Sequence, residues 1–247
     1  MTGSKKLSIK NPVPIAGSAI PISSEKRFEL KLASLSGSPE QGRSWILMHP
    51  EGFKVAHQPR IVNNLYLDTV DLKSFNDNLS GISERLKLRL RWYGEIENMV
   101  IVNPVLEMKI KKNMIGDKRR KILNLTLDLR QPFHELLKQI RSRAGQQWCS
   151  LLQSAVQATI INRYKREYFV SPDGTIRTTL DYNQVSFNQR MGLRPNLNRP
   201  IPTNDFFLIE VKATPQHRER LERAMGYFPI QRTRNSKYVN GMLGGPL

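Results

Sequence analysis

Arg85, Lys87, Arg89 and Arg91 occupy every second position of the run 85–93, and Leu86, Leu88, Leu90 and Trp92 fill the positions between them. A period of two sends successive side chains to opposite faces of a strand, so the four cations share one face and the four apolar groups the other. The pattern recurs along the chain. Glu107, Lys109 and Lys111 stand opposite Leu106, Met108 and Ile110; Glu210 and Lys212 stand opposite Ile209 and Val211; Arg27, Glu29 and Lys31 stand opposite Phe28, Leu30 and Leu32. Tyr164, Arg166 and Tyr168 form another one-face set, as do Arg177, Thr179 and Asp181. Arginine presents a planar fork that matches phosphate oxygens, and such charge-assisted bonds are roughly twice as strong as neutral ones. A face gathered from these strands is therefore suited to a chain of phosphates. The interspersed carboxylates Glu29, Glu107 and Glu210 are hard oxygen donors, which fits them to Mg²⁺ or Mn²⁺ bridging protein and phosphate.

Two arrangements satisfy the alternation. In one, an antiparallel sheet lays its apolar face on helices and its charged face in solvent. In the other, the sheet closes into an eight-stranded barrel with the charged faces inward, leaving a lumen wide enough for a small ligand, and helices cover the outside. Exposed sheet faces favour Thr, Ser and mixed charges, because like charges set opposite one another destabilise; faces dominated by Arg and Lys with occasional Glu fit a lining better. Taking an ion out of water costs several kcal/mol even after relaxation, so inward cations need a wet lumen or a bound polyanion.

Positioning these groups requires strands at about 26–33, 61–68, 85–93, 103–112, 118–127, 162–171, 174–182 and 205–213. Asp173 and Gly174, after Ser171 and Pro172, signal a hairpin between the sixth and seventh, and Asn113 to Asp117 serve similarly between the fourth and fifth. A helical spacing of apolar residues runs over about 132–160, with a break near Gly145, and shorter helices are expected at about 40–50, 215–226 and 235–243. The fold class expected is α+β, a closed antiparallel barrel with helices packed outside. Residues 1–24 read as a flexible basic leader, 25–243 as one domain and 244–247 as a short tail.

Composition narrows the partners. The 247 residues hold 39 Lys and Arg against 21 Asp and Glu, a net charge of +18, which points to a polyanion. Nucleic acid fits poorly, since aromatic residues make up 8% and none of the familiar modules is present. No apolar run approaches the length of a membrane span, no secretory signal opens the chain, and Cys149 is the one cysteine, so a cytoplasmic location is expected. Cys149 reads as a buried small hydrophobe. His49, His57, His134 and His217 lack metal spacing and read as structural or surface groups, and Asp68 with Thr69 reads as a strand end followed by a cap. No G-x-S-x-G, P-loop or G-x-G-x-x-G motif occurs.

Eight short motifs, in order, resemble the VTC (vacuolar transporter chaperone) domain of the triphosphate tunnel metalloenzymes: RFELK (27–31), YLDT (66–69), KLRLRWYG (87–94), LEMK (106–109), YKREYF (164–169), RTTLD (177–181), LIEVK (208–212) and SKY (236–238). Arg27 stands where the broader superfamily opens with Glu, as in the polyphosphate-polymerase branch. The resemblance covers about 25–243. It implies a tunnel barrel in which the terminal phosphate of ATP is added to a growing polyphosphate chain, with an inorganic or organic triphosphatase of the same fold as one alternative; the net charge of +18 leaves a non-catalytic polyphosphate or nucleic-acid binding module as another. By motif, Arg89, Arg91, Lys109, Arg166, Arg177 and Lys237 would carry the chemistry and Arg27, Lys31, Lys87 and Lys212 would hold substrate. Glu210, with Glu29 and Glu107, would take Mn²⁺ or Mg²⁺. One of Lys118, Arg119, Arg120 and Lys121 would match the family's tunnel lysine. The phosphate-sensing domain and membrane helices of eukaryotic members are not recognisable here, so the chain resembles a stand-alone bacterial type, and any membrane-protein partner is not readable from it.

Overall fold

The alternating runs become the strands of one antiparallel sheet. In a computed structural model, which describes residues 27–96, 99–112, 115–203 and 205–244, the elements follow in the order β1 (Phe28–Ser34), α1 (Pro39–Leu47), β2 (Lys54–Asp68), α2 (Lys73–Leu79), β3 (Glu84–Tyr93), β4 (Val100–Val102), β5 (Val105–Lys112), β6 (Ile115–Ile122), β7 (Thr126–Asp128), α3 (Phe133–Ala144), α4 (Gln146–Ser154), β8 (Gln157–Val170), β9 (Arg177–Asn188), β10 (Phe207–Ala213), α5 (Arg218–Met225) and α6 (Lys237–Leu243). The leader 1–24 and residues 245–247 lie outside the described residues.

Eight strands join in the order β1-β10-β9-β8-β2-β3-β5-β6, and β4 pairs separately with β7. The expected closed barrel is corrected here: β1 and β6 are the two edges, with no backbone pairing between them among the described residues. The sheet is nevertheless strongly curled. Six strand spacings separate β1 from β5, about 29 Å in a flat sheet, yet Glu29 on β1 and Lys109 on β5 are 3.0 Å apart. Side chains, not backbone, bridge the gap. Burial and the like charges of Arg177 and then Arg120 hold the Arg27 guanidinium below its ordinary pKa.

The convex face is the apolar one. Leu65, Leu88, Leu90, Trp92 and Leu106 pack under α3 and α4 through Leu136, Leu137, Ile140, Trp148 and Leu152. Leu30, Leu32, Leu180, Ile209 and Val211 pack under α1 and α5 through Ile46, Leu221 and Met225. Burial of each such side chain contributes about 1.5–3 kcal/mol, and it fixes which parity of every strand faces outward. The cations are thereby turned onto the concave face.

Local chemistry explains most boundaries. Ser38 caps α1 by accepting from the Gln41 amide, with Pro39 at the first helical position. Asp173 and Gly174, the latter at φ +75°, make the β8–β9 hairpin as expected, and Ser171 donates to the Asp173 carboxylate. Gly145, at φ +85°, splits the long helix into α3 and α4. The expected helix to residue 160 is wrong beyond Ser154: Ala158, Ile160 and Ile161 belong to β8, which starts at Gln157. The expected strand over 118–127 divides into β6 and β7, and β2 begins seven residues before the expected 61. Cys149 is half-buried, whereas its neighbour Trp148 is the group in the core.

Helix α6 sits against the concave face, not outside it. Tyr238 stacks on Tyr66 with centroids 4.8 Å apart, and the two pack with Ile160. A Cβ on Gly241 would stand 2.8 Å from Ile160 Cδ1 and 2.9 Å from Ser186 Oγ, so glycine permits the helix to approach this closely. Gly241→Val is expected to lower stability by about 1–3 kcal/mol through overpacking, readable from the midpoint of urea unfolding.

Candidate active site

Cross-strand register assembles the site row by row. Arg89 on β3 lies beside Glu107 on β5, which lies beside Arg120 on β6. Glu107 is 2% exposed and meets Arg89 at 2.7 Å, Lys118 at 2.5 Å, Arg120 at 3.3 Å and Arg91 at 3.5 Å. Burial alone would raise its pKa; Arg89, Arg91 and Lys118 instead hold it well below the ordinary carboxylate value. Within the run 118–121, Lys118 and Arg120 are the residues on Glu107, while Arg119 and Lys121 are exposed at the opposite parity.

A second cluster lies across the trough. Arg166 on β8 grips Asp181 on β9 through Nε at 2.5 Å and Nη2 at 2.6 Å, and reaches Glu210 on β10 at 3.3 Å. Lys237, from the first turn of α6, lies 2.5 Å from Asp181 and 3.5 Å from Glu210. Lys31 and Lys212 complete the surroundings of Glu210 at 3.2 and 2.6 Å. Against the effect of burial, Lys212, Lys31, Lys237 and Arg166 hold Glu210 well below the ordinary range. Glu29 links the clusters, 3.2 Å from Lys31 and 3.0 Å from Lys109. The ring of Tyr164 lies beneath both Lys237 and Arg166, at 4.8 and 5.2 Å.

Lys87 differs from its neighbours. Its ammonium donates to Ser236 Oγ at 2.8 Å, and among the described residues it forms no ion pair with a carboxylate. Burial, then Lys31, Lys109, Arg85 and Arg89, push its pKa well below the ordinary lysine value. A cation held this way lacks a counter-anion, and a phosphate oxygen would supply one. Arg27, Arg177 and Lys212 line a cavity of about 230 Å³ together with Thr175, Gln216 and His217.

Several residues that tie the site together escaped the sequence reading. Arg91 Nε donates to Asn64 Oδ1 at 2.8 Å, Asn64 Nδ2 donates to Asn162 Oδ1 at 2.8 Å, and Asn162 Nδ2 donates to the Lys237 carbonyl at 3.3 Å. This amide relay joins an arginine of β3 to the backbone of α6. Asn64 and Asn162 have the same parity as Tyr66 and Tyr164, a polar signal in line with the charged face that strand alternation could have revealed. Asp68 performs the expected capping, accepting from the amides of Thr69, Ser74 and Phe75, and it also accepts from the Tyr238 hydroxyl at 2.6 Å.

Among the described residues no three of His, Cys, Asp and Glu come close enough to enclose a metal by themselves. Glu29 and Glu210 both contact Lys31 and Lys212, which sets the two carboxylates around the same ammonium groups. Mg²⁺ is commonly held by one or two carboxylates together with substrate phosphates, and this pair fits an ion of that kind. Both oxygens of Glu107 face cations, as do those of Glu29 and Glu210, so an ion at any of the three would take the place of a side-chain cation.

Residues 22–244 match the VTC domain family. No curated protein matches the sequence. Among solved structures, an adenylyl cyclase candidate from Hippeastrum described as having a dominant triphosphatase activity is 16% identical, with 90% of this chain and 97% of that chain covered and a TM-score of 0.51. An adenylate cyclase candidate from Vibrio parahaemolyticus is 12% identical, with 85% of this chain and 94% of that chain covered and a TM-score of 0.47. The first likeness shows a shared fold. No helix among the described residues is long and apolar enough to cross a membrane.

Proposed function

The chain belongs to the VTC domain family of the triphosphate tunnel superfamily, and from that premise we propose that it is a metal-dependent polyphosphate polymerase, transferring the terminal phosphate of ATP to a growing polyphosphate chain. The observation that carries the proposal is the trough itself: Arg89, Arg91, Arg166, Lys31, Lys87, Lys109, Lys118, Lys212 and Lys237 outnumber Glu29, Glu107, Asp181 and Glu210 on one enclosed face. Phosphoryl transfer proceeds through a loose transition state that needs positioning and charge neutralisation more than a protein nucleophile.

Each side chain then has a role set by where it stands. Arg89 and Arg91 on one wall, and Arg166 with Lys237 on the other, hold the phosphates between them and offset charge that develops on the equatorial oxygens. Lys31, Lys87, Lys109 and Lys118 extend the cationic surface along the acceptor chain. Glu107 fixes the arginine forks; Asp181 does the same for Arg166. Arg27, Arg177 and Lys212 attract polyanions at the rim. Mn²⁺ or Mg²⁺, held by Glu210 and Glu29, would supply further neutralisation of phosphate charge.

A triphosphatase is the second reading, favoured by the activity described for the Hippeastrum neighbour. Incubation with ATP and Mn²⁺, with products resolved on a gel, separates the readings. Chains that disappear in Arg89→Ala support synthesis; free phosphate alone supports hydrolysis; no turnover supports a polyphosphate binder.

Lys87 provides a second test. Because its pKa is depressed in the free protein, an arriving phosphate raises it and the complex binds more protons than the free protein. Proton uptake on binding tripolyphosphate is expected above the depressed value and below the ordinary one, with affinity falling as pH rises through that window. Calorimetry in buffers of different ionisation enthalpy reads the uptake, and Lys87→Met should reduce it, the remainder coming from Lys118, which burial and its neighbouring arginines also hold well below the ordinary lysine value.

A further inference from the structure

The two strands that carry the phosphate-gripping arginines each place a tyrosine two residues further along the same face: Tyr93 follows Arg91 on β3, and Tyr168 follows Arg166 on β8. Two residues of strand advance about 7 Å. Tyr93 is 46% exposed, and Tyr168 is half-buried. Arg60 on β2 sits beside Arg166 in the register and lies between the two rings, its guanidinium 5.8 Å from the centre of Tyr93 and 5.9 Å from that of Tyr168. His57 meets Tyr168 edge-on, with centroids 5.7 Å apart. Along β2 this group is at the opposite end from Tyr66, where α6 is packed, about 20 Å away by strand rise.

Arg60 and His57 are exposed, so these flat groups are not covered by the core, and their place just beyond the phosphate grip needs an explanation. Aromatic rings and guanidinium planes are the surfaces on which nucleobases stack, because every base offers a π-face. A molecule of phosphates alone would make no use of them. We infer that Arg60, Tyr93 and Tyr168 form a stacking platform for the base of a nucleoside triphosphate whose phosphates lie in the basic trough. The inference rests on the triphosphate reading above and adds to it the residues that would receive the base. The entering molecule then lies with its base at the β2–β3–β8 end and its phosphates directed toward Arg91, Arg166 and Lys237.

The test compares two probes, a non-hydrolysable ATP analogue and inorganic tripolyphosphate, in calorimetric titrations of the wild-type chain and of Tyr93→Leu with Tyr168→Leu, a change that leaves net charge untouched. The variant is expected to bind the analogue roughly ten-fold more weakly, the scale of losing base stacking, and to bind tripolyphosphate as the wild type does. Retained tripolyphosphate binding also reports that the variant is folded. The single variant Tyr93→Leu, whose ring is the more exposed, should show part of the loss. If the double variant leaves analogue affinity unchanged, or weakens both probes equally in a soluble, cooperatively unfolding protein, the platform is overturned and the triphosphate reading survives. If the wild-type chain binds neither probe, both fall together.

Discussion

Replacing Glu107 by Gln is expected to destabilise the protein by about 3–5 kcal/mol, the scale seen when one partner of a buried ion pair is removed. The side chain is almost fully enclosed, and it is the common anion of Arg89, Arg91, Lys118 and Arg120. Gln keeps the shape and removes the charge, so Arg89, Arg91 and Lys118 are left facing one another where burial already weakens their hydration. A midpoint shift in urea unfolding, at constant slope, would read the loss. The same cations should then respond more strongly to an added anion. A ligand that binds only the folded state at a hundred times its dissociation constant contributes about 2.7 kcal/mol, so tripolyphosphate should recover much of the variant's stability. Arg120→Gln provides the contrast, because its side chain is 63% exposed and an exposed pair contributes about 0–1 kcal/mol. An unchanged midpoint in Glu107→Gln would mean that the arginines are neutralised by solvent and that the cluster is not the enclosed centre described above.

How much of this arrangement can be read without coordinates follows from the range of the interactions involved. The parity of Arg85 to Tyr93 is local: any strand with that alternation buries Leu88, Leu90 and Trp92 and turns Arg89 and Arg91 the other way. The hairpin at Asp173 and Gly174 is equally local, since a positive φ and a side-chain acceptor specify it. The start of β8 is not, because Ala155, Val156, Ala158 and Ile160 suit either a buried helix or a buried strand, and only pairing with Leu67 and Tyr66 on β2 decides between them. Closure is the longest-range property of all. Whether β1 pairs with β6 depends on strands more than eighty residues apart in the chain, and it is decided only by how far the whole sheet curls. The partners of Asn64 and Asn162 were hidden for a different reason: parity places the two amides on the charged face, but which groups they join is fixed only when β2, β3, β8 and α6 meet. For the site, alternation grouped Glu29 with Lys31, Glu107 with Lys109 and Glu210 with Lys212 on their own strands, but it could not show that Glu29 meets Lys109 across the trough, or that Glu210 shares Lys31 and Lys212 with Glu29.

Lys237→Met tests whether α6 belongs to the reaction or only to the fold. The ammonium is carried into the trough by a helix anchored at three independent points: Ser236 accepting from the Val239 amide and from Lys87, Tyr238 donating to Asp68, and the Lys237 carbonyl accepting from Asn162. None of these anchors uses the ammonium. Methionine retains the length and the apolar stem, so α6 should remain seated. Asp181 keeps its two bonds from Arg166, and Glu210 keeps Lys31, Lys212 and Arg166. Thermal stability is therefore expected to change little. If Lys237 offsets charge that develops on the transferred phosphate, turnover of ATP should fall roughly 10²- to 10³-fold, as when a single preorganised donor is removed from a transition-state site. The affinity for tripolyphosphate should fall far less, because Arg89, Arg91 and Lys87 grip the ground state from the other wall. Equal losses in affinity and turnover would make Lys237 a ground-state clamp. Undiminished turnover would remove α6 from the chemistry and leave it as a support for Tyr66 and Ile160.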